Sequence, residues 1–290
     1  MNRIKMISIC AMENFRKWKS TPRIWVLALA ILVYGIWDFG EMSAYAREVY
    51  GGMTSWVLPF WLPSITMVLV FDCITIAFFS NAPFSDSYTP FLVIRVGRLN
   101  WILGQICYVF LASIVYVLFY FFVSIICMLP SFNITNEWGL PERAMAAGEV
   151  FQTSHSITLR VESYIVDYFN PLEATGIMLL LMWSVSLFTG FLIMLFNMIS
   201  RGMAGIAIAG TLTFLAYFWY YFGRMWLGEK VFWISPMSWC TLWGGDLWNE
   251  GLKPPLAYVL AVLVGFSLVM ACISVVLYCK RDITIVKEEF

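Results

Sequence analysis

The chain has 290 residues, of which 61% are hydrophobic and only 12% charged, and its formal net charge is zero. Soluble domains carry about 25% charged residues, so this composition excludes an ordinary soluble enzyme or binding domain. The mean hydropathy is +0.79, and mostly apolar runs recur that are long enough to cross about 30 Å of hydrocarbon. These features predict an all-α, multi-pass membrane protein that forms a single transmembrane domain over residues 1–290.

The first 21 residues are predicted to form an amphipathic elbow helix that lies along the membrane surface. Apolar side chains recur at spacings of three and four residues, and basic side chains flank them. The apolar set is Ile4, Ile7, Ala11, Phe15 and Trp18, and the basic set is Arg3, Lys5, Arg16, Lys17 and Lys19. Thr21-Pro22 is expected to end this helix, because proline cannot continue it. A simpler interpretation stays open, in which the segment is a positive flank that only orients insertion.

Six membrane spans are predicted after this helix. Their bounds are Arg23–Trp37, Trp56–Phe79, Trp101–Leu129, Leu172–Ile199, Met203–Phe222 and Leu256–Cys279. Pro59 and Pro63 predict an irregular or kinked start of the second span. Ser200-Arg201-Gly202 is the whole turn between the fourth and fifth spans, so these two spans form a hairpin. Ala44-Tyr45-Ala46 resembles a signal-peptidase site but lies about eight residues past the apolar run, so no cleavage is expected.

The basic residues predict the orientation of the chain. With a cytosolic N-terminus, twelve Lys and Arg residues lie inside and six lie in the longer outer loops. The inner set is Arg3, Lys5, Arg16, Lys17, Lys19, Arg23, Arg95, Arg98, Arg201, Lys280, Arg281 and Lys287; the outer set is Arg47, Arg143, Arg160, Arg224, Lys230 and Lys253. The positive-inside rule therefore favours cytosolic placement of both termini.

Two outer segments stand out. Residues 130–171 form an acidic loop, in which the spacing of apolar side chains predicts an amphipathic helix over Val161–Phe169. Residues 223–255 carry five tryptophans but are interrupted by Pro236, Gly244 and Gly245. Such a segment is too apolar for a free loop and too broken for a span, which predicts a re-entrant pair of short helices.

The loop at residues 80–100, between the second and third spans, contains the most informative local pattern. Thr89 is a good N-cap, Pro90 follows at the first helical position, and Gly97 is suited to end the helix. A helix of about two turns is marginal in water by itself, so a partner surface is expected to order it. Arg95 and Arg98 lie beside its apolar residues, and the charge count places it in the cytosol.

Asp72 is the acidic residue placed well inside a span. A carboxyl group at that depth usually faces the bundle interior or a wet cavity. It is a candidate contact of a translocation path, and a hydrogen bond to a neighbouring helix, through Thr75 or a serine of the third span, stays open as a structural alternative. The sequence contains no phosphate-binding loop of the GxxxxGK[ST] type and no HExxH or GxSxG motif, so no catalytic residue is assigned. No metal or cofactor site is expected either.

The order of these parts resembles the membrane subunit of bacterial export-type ABC transporters, the type-2 (ABCG-like) permeases that include sterol and O-antigen exporters. Residues 85–105 carry most of the resemblance. Thr89-Pro90-Phe91-Leu92-Val93-Ile94-Arg95 occupies the place of the coupling helix, and Arg98 stands where the family often has an arginine entering the third span. Gly104-Gln105 stands where Gly-Lys is common, and the glutamine is a departure from the family pattern.

The resemblance implies a permease subunit in a bacterial plasma membrane that is not itself an enzyme. A separate ATPase subunit, which binds ATP and magnesium, would dock on the residues that the resemblance assigns to coupling: Thr89, Pro90, Phe91, Ile94, Arg95, Gly97 and Arg98. A second permease subunit, identical or different, would complete the path, with membrane lipid around it and no nucleic-acid partner. The expected substrate is a hydrophobic peptide, a lipid or an amphipathic drug. The alternatives are a non-transporting immunity or sensory membrane protein and a membrane-integral enzyme, which would need paired polar groups at one depth.

Overall fold

A computed structural model describes residues 3–62, 64–86, 88–133, 135–148, 161–200, 202–244 and 251–280. Pro63 and the turn residue Arg201 lie outside these ranges, as do parts of the predicted outer segments, at 149–160 and 245–250. The described chain is predominantly helical. Five helical stretches are long and apolar enough to cross a membrane, namely Pro22–Tyr50, Arg98–Ser131, Pro171–Ser200, Ala204–Ile234 and Leu256–Lys280.

Eleven α-helices and two short strands occur in the described residues. The helices are α1 (Arg3–Arg16), α2 (Pro22–Tyr50), α3 (Ile65–Phe79), α4 (Thr89–Val96), α5 (Arg98–Met128), α6 (Leu140–Ala146), α7 (Ser163–Tyr168), α8 (Pro171–Ser200), α9 (Ala204–Phe218), α10 (Arg224–Leu227) and α11 (Leu256–Lys280). The strands β1 (Met53–Thr54) and β2 (Phe132–Asn133) pair in parallel, with Met53 opposite Phe132.

The predicted bounds of the first two spans were wrong. Helix α2 continues to Tyr50, so much of the segment expected to be an outer loop from Asp38 is helical. Conversely, α3 begins only at Ile65, and its 15 residues span about 22 Å. The chain before α3 instead forms a short 3-10 turn, Leu58–Phe60, because Pro59 cannot sit inside a long helix.

Helix α8 is the centre of the bundle. It packs against α3, α5, α9 and α11, and it is buried on several sides along most of its length. Its tightest approach is to α9, where a Cβ on Gly205 would lie 2.4 Å from the Ile193 carbonyl oxygen. The very short turn after Ser200 brings the two helices back together in this way.

Helix α1 packs against the first half of α5. A Cβ on Gly104 would lie 2.5 Å from the Cβ of Cys10, so only glycine allows the two helices to approach this closely. Beside it, the Asn14 side-chain amide donates a hydrogen bond to Gln105 Oε1 at 2.9 Å, and both side chains are buried. Gly104 and Gln105 therefore fix the N-terminal helix to the bundle. Of the predicted apolar face, Ala11 is buried against the bundle, whereas Ile4 is exposed.

At the opposite end of the bundle, residues 51–62, 129–133, 135–148 and 228–244 form a structure that we call the outer cap, after the orientation predicted from the sequence. Thr54 donates its backbone N–H to Glu142 Oε1 at 2.7 Å, and Trp243 Nε1 donates to the Leu62 carbonyl at 2.9 Å. Within the segment predicted to hold re-entrant short helices, α10 is followed by the short 3-10 helices Gly228–Ile234, Pro236–Cys240 and Leu242–Gly244. Met237, Trp239 and Cys240 are buried, so this broken backbone is enclosed by protein. The predicted helix over Val161–Phe169 is shorter, covering Ser163–Tyr168.

Candidate functional site

The short helix α4 connects α3 to α5 and covers Thr89–Val96. Gly97 ends it with a positive φ of 88°, and its backbone N–H bonds the Val93 carbonyl at 2.8 Å. The N-cap prediction for Thr89 was wrong, because Tyr88 occupies that position without a side-chain bond. The Thr89 hydroxyl instead accepts a hydrogen bond from the backbone N–H of Asp86 at 2.7 Å. Thr89 thus holds the preceding loop in place rather than the first turn of the helix.

One face of α4 is exposed and is not covered by the rest of the described chain. Tyr88, Phe91 and Ile94 recur every three residues and are 79%, 73% and 78% exposed, and we call them the α4 patch. The opposite face is anchored, since Val93 is only 3% exposed. Arg95 is exposed next to the patch. A two-turn helix with large apolar side chains on its free face is typical of a surface that a partner covers.

The junction between α4 and α5 is short and braced. Gly97 is the single residue between them, and Arg98 already begins α5. The Asn100 side-chain amide donates to the Val96 carbonyl at 2.8 Å, and the Trp101 backbone N–H bonds the Gly97 carbonyl at 3.1 Å. These bonds connect the end of α4 to the start of α5, a helix of 31 residues.

Asn197, near the end of α8, holds the other side of the loop. Its side-chain amide donates to the Ala82 carbonyl at 2.7 Å and to the Ser80 carbonyl at 3.2 Å. Its Oδ1 accepts the backbone N–H of Gly205 at 2.9 Å. One buried side chain thus connects α8, α9 and the loop that leads into α4. The sequence analysis missed Asn197, although an asparagine at the end of a long apolar run was a usable signal.

The N-terminal segment supports the same loop from the opposite side. Lys17 forms a salt bridge with Asp86 at 2.5 Å, and Arg23 Nη1 donates to the Ser80 hydroxyl. The residues before α4 are consequently held between the start of α2 and the end of α8. Pro90 and Arg98, which were predicted as coupling residues, are partly buried at the two ends of α4.

Asp72 lies inside the bundle, on α3, and is only 2% exposed. Neither carboxyl oxygen has a partner with normal hydrogen-bond geometry, although the Thr213 hydroxyl of α9 lies beside it. Thr75, the expected partner, bonds the Tyr116 hydroxyl at 3.0 Å instead. Among the described residues no basic side chain lies close enough to Asp72 to influence it. The structure thus places Asp72 in the packed interior of one chain, next to hydroxyl groups.

Fold and surface together describe a helical membrane protein with a short, exposed helix between two of its apolar helices. Comparisons with protein families, with curated proteins and with solved structures found no match for this chain. The described residues contain no group of three or more His, Cys, Asp or Glu side chains that could hold a metal ion.

Proposed function

We propose that this chain is the permease subunit of an ATP-driven exporter of the ABC type. In this proposal α2, α3, α5, α8, α9 and α11 are six membrane spans, α1 is the elbow helix, and α4 is the coupling helix on the cytosolic side. The observation that carries the proposal is the α4 patch, an exposed apolar surface on a helix that is braced to α5. The protein would lie in a bacterial plasma membrane with both termini in the cytosol.

The partner of the α4 patch would be a soluble ATPase subunit that binds ATP and magnesium. Phe91 and Ile94 supply apolar contact area, and Arg95 adds a positive charge at the edge of the patch. Closure of an ATPase pair would displace α4, and the bracing by Asn100 would pass the displacement into α5. A second permease subunit would complete the path for a hydrophobic peptide, a lipid or an amphipathic drug.

The interior position of Asp72 bears on the candidate translocation path. A path between two subunits would be lined by side chains at the subunit surface, whereas Asp72 is buried within one bundle. We therefore propose that Asp72 acts in packing, and that a transport role would require the bundle to open between α3 and α9.

Co-purification tests the proposed docking. The chain is expressed with the proposed ATPase subunit, a soluble ATPase with a phosphate-binding loop sought in the neighbouring reading frames, and the double variant Phe91→Ala/Arg95→Glu is compared with the wild type. Truncation of an interface anchor typically costs about 2 kcal/mol, so we expect ATPase binding to weaken at least about tenfold. The matched control is Trp226→Ala/Lys230→Glu, because Trp226 is also 73% exposed but lies at the opposite end of the bundle.

The control variant should retain the ATPase at the wild-type level. If the complex survives the Phe91/Arg95 change, or if both variants disrupt it equally, α4 is not the docking helix. A sensory or immunity protein on the same fold would instead show no substrate-stimulated ATP hydrolysis after reconstitution.

A further inference from the structure

A cavity of about 620 Å³ lies between the N-terminal segment, the loop before α4, and the ends of α5, α8 and α11. This volume falls within the range of about 300–1,000 Å³ that is typical of ligand sites. The cavity is separate from the α4 patch, because none of Tyr88, Phe91 and Ile94 lines it. It opens to the surface, since Asn81 and Ser85 line it and are exposed. A molecule in this cavity would lie behind α4, against the loop that leads into it.

Aromatic rings form much of the cavity wall. Trp18, Phe84 and Tyr278 line it and are half-buried, so part of each ring is accessible to a ligand. Buried rings hold these three in place. The Phe84 ring lies edge-on to Tyr108 with centroids 4.7 Å apart, and the Trp18 indole N–H donates to the Tyr108 hydroxyl at 2.7 Å. The Tyr278 ring stacks on Trp101 at 4.6 Å. A ligand therefore meets aromatic surface that is already ordered, which favours a ligand with an aromatic body.

The charged side chains that line the cavity in the described part of the chain already have partners. Lys17 and Asp86 form a salt bridge at 2.5 Å, so their charges cancel. Arg23 donates to the Ser80 hydroxyl, and Arg98 interacts with another group of the chain. A charged ligand would have to compete with these contacts, and separating a charged group from its partner is costly. An uncharged ligand requires no such exchange.

Two uncharged polar side chains remain for recognition. Asn81 and Ser85 line the cavity, and neither side chain forms a hydrogen bond within the described ranges. The amide group of an asparagine offers two donors and an acceptor, and a serine hydroxyl both donates and accepts. Sites with a mainly apolar wall and a few polar groups bind molecules of matching amphipathic character.

We propose that this cavity binds an uncharged amphipathic molecule with an aromatic body and a hydrogen-bonding end. The aromatic body packs on Trp18, Phe84 and Tyr278, and the polar end bonds Asn81 and Ser85 at the mouth of the cavity. The proposal does not depend on the docking of an ATPase at α4, because the site lies within one chain.

Equilibrium dialysis of the detergent-purified chain against radiolabelled chloramphenicol tests this proposal. The probe is uncharged and combines a nitrophenyl ring with hydroxyl and amide groups. We expect saturable binding of one molecule per chain, and no tighter binding of chloramphenicol hemisuccinate, which keeps the ring and adds a carboxylate. If no saturable binding occurs, or if the hemisuccinate binds at least about tenfold more tightly, the proposal is wrong.

Ser85→Trp tests the position of the site. Ser85 is exposed at the mouth of the cavity, so an indole there fills space without displacing a buried side chain. We expect chloramphenicol binding to weaken at least about tenfold. The matched control is Ser8→Trp, because Ser8 is also exposed but lies on α1 and does not line the cavity. Binding that Ser85→Trp leaves unchanged, or that both variants weaken equally, would overturn the proposal.

Asn81→Leu tests the polar end of the site, since leucine keeps the size of the side chain and removes its amide. One lost hydrogen bond predicts binding that is about threefold to tenfold weaker. Chloramphenicol should also raise the melting temperature of the wild type, whereas Ser85→Trp should melt near the wild-type temperature without responding to the probe. Wild-type affinity in Asn81→Leu would contradict the assigned polar contact.

Discussion

The two ends of the helix bundle differ in which of their side chains are covered and which are exposed. The outer cap joins segments that are distant in the chain, with Glu142 bonded to Thr54 and Trp239 enclosed by protein, but it also exposes single apolar side chains such as Leu140 and Ile234. The end that carries α4 is equally well braced behind the helix, through Asn197, but leaves the α4 patch bare. The α4 patch differs in that its three exposed side chains share one face of a single short helix, which is bonded to the helix that follows it.

The largest expected effect comes from removing the brace at α4. Asn197→Ala deletes two donated hydrogen bonds and leaves the Gly205 N–H without its acceptor, so we expect a loss of about 3 kcal/mol in unfolding free energy. Binding of the proposed ATPase subunit should also fall, because Asn197 holds the loop that leads into α4. Thermal unfolding and co-purification measure the two effects.

Ser200→Ala provides the control for Asn197, because it removes a hydroxyl at the end of the same helix that, within the described ranges, bonds only Phe196 and Gly202. An Asn197→Ala protein with wild-type stability would contradict the described role of the brace.

The second effect concerns the attachment of α1. Gly104→Ala places a methyl group 2.5 Å from the Cys10 Cβ, so α1 has to move away from α5, at a cost of about 2 kcal/mol. Cys10 is buried, and we expect its reaction with a maleimide to speed up in this variant. Gly265→Ala is the matched control, since a Cβ there meets nothing within 4 Å. Equal labelling of Cys10 in both variants would show that α1 is not held by this contact.

A smaller effect is expected at Asp72, between the two ends. An ionised carboxylate that is buried without a partner is costly, and an asparagine in its place would keep the size while removing the charge. We expect Asp72→Asn to melt at or above the wild-type temperature and to support substrate-stimulated ATP hydrolysis by the proposed ATPase subunit as the wild type does. If the Asp72→Asn protein is folded but this activity is lost, Asp72 takes part in the translocation path.

The smallest expected effect is a pH-dependent change in stability that arises from Glu142 in the outer cap. Burial raises the pKa of Glu142 above its ordinary range, although hydrogen bonds from backbone N–H groups oppose this shift. In the window between the ordinary and the raised pKa, the folded state binds more protons than the unfolded state, so stability falls as pH rises. We expect the melting temperature of the wild type, relative to Glu142→Gln, to be higher near pH 5 than near pH 7. A difference that does not change with pH would contradict this.

Local sequence signals, such as proline and glycine at helix ends, predicted some elements of the fold and missed others. Thr21-Pro22 and Gly97 stand at the helix ends where the sequence placed them, because proline and positive-φ glycine act on their own backbone. Helix lengths around Tyr50 and Ile65 were missed, since hydropathy marks apolar runs but not how far a helix continues beyond the membrane.

The contacts that support α4 could not be predicted from the sequence, because they join distant positions. Asn197 and Ala82 are 115 residues apart in the chain, and Asn14 and Gln105 are 91 apart. Gln105, which departs from the pattern of the permease family that the sequence resembles, has its physical explanation in this last bond. No local pattern identifies such a pair, whereas the short apolar helix next to it was visible from its proline and glycine alone.

Site-specific photo-crosslinking to the ATPase subunit tests the central claim most directly. A photoreactive side chain is placed at Phe91, at Val93, which is buried on the same helix, and at Trp226, which is as exposed as Phe91 but lies at the other end. The account predicts a strong crosslink to the ATPase from position 91 and none from positions 93 and 226. Crosslinking from position 226, or none from position 91 in a purified complex, would contradict it.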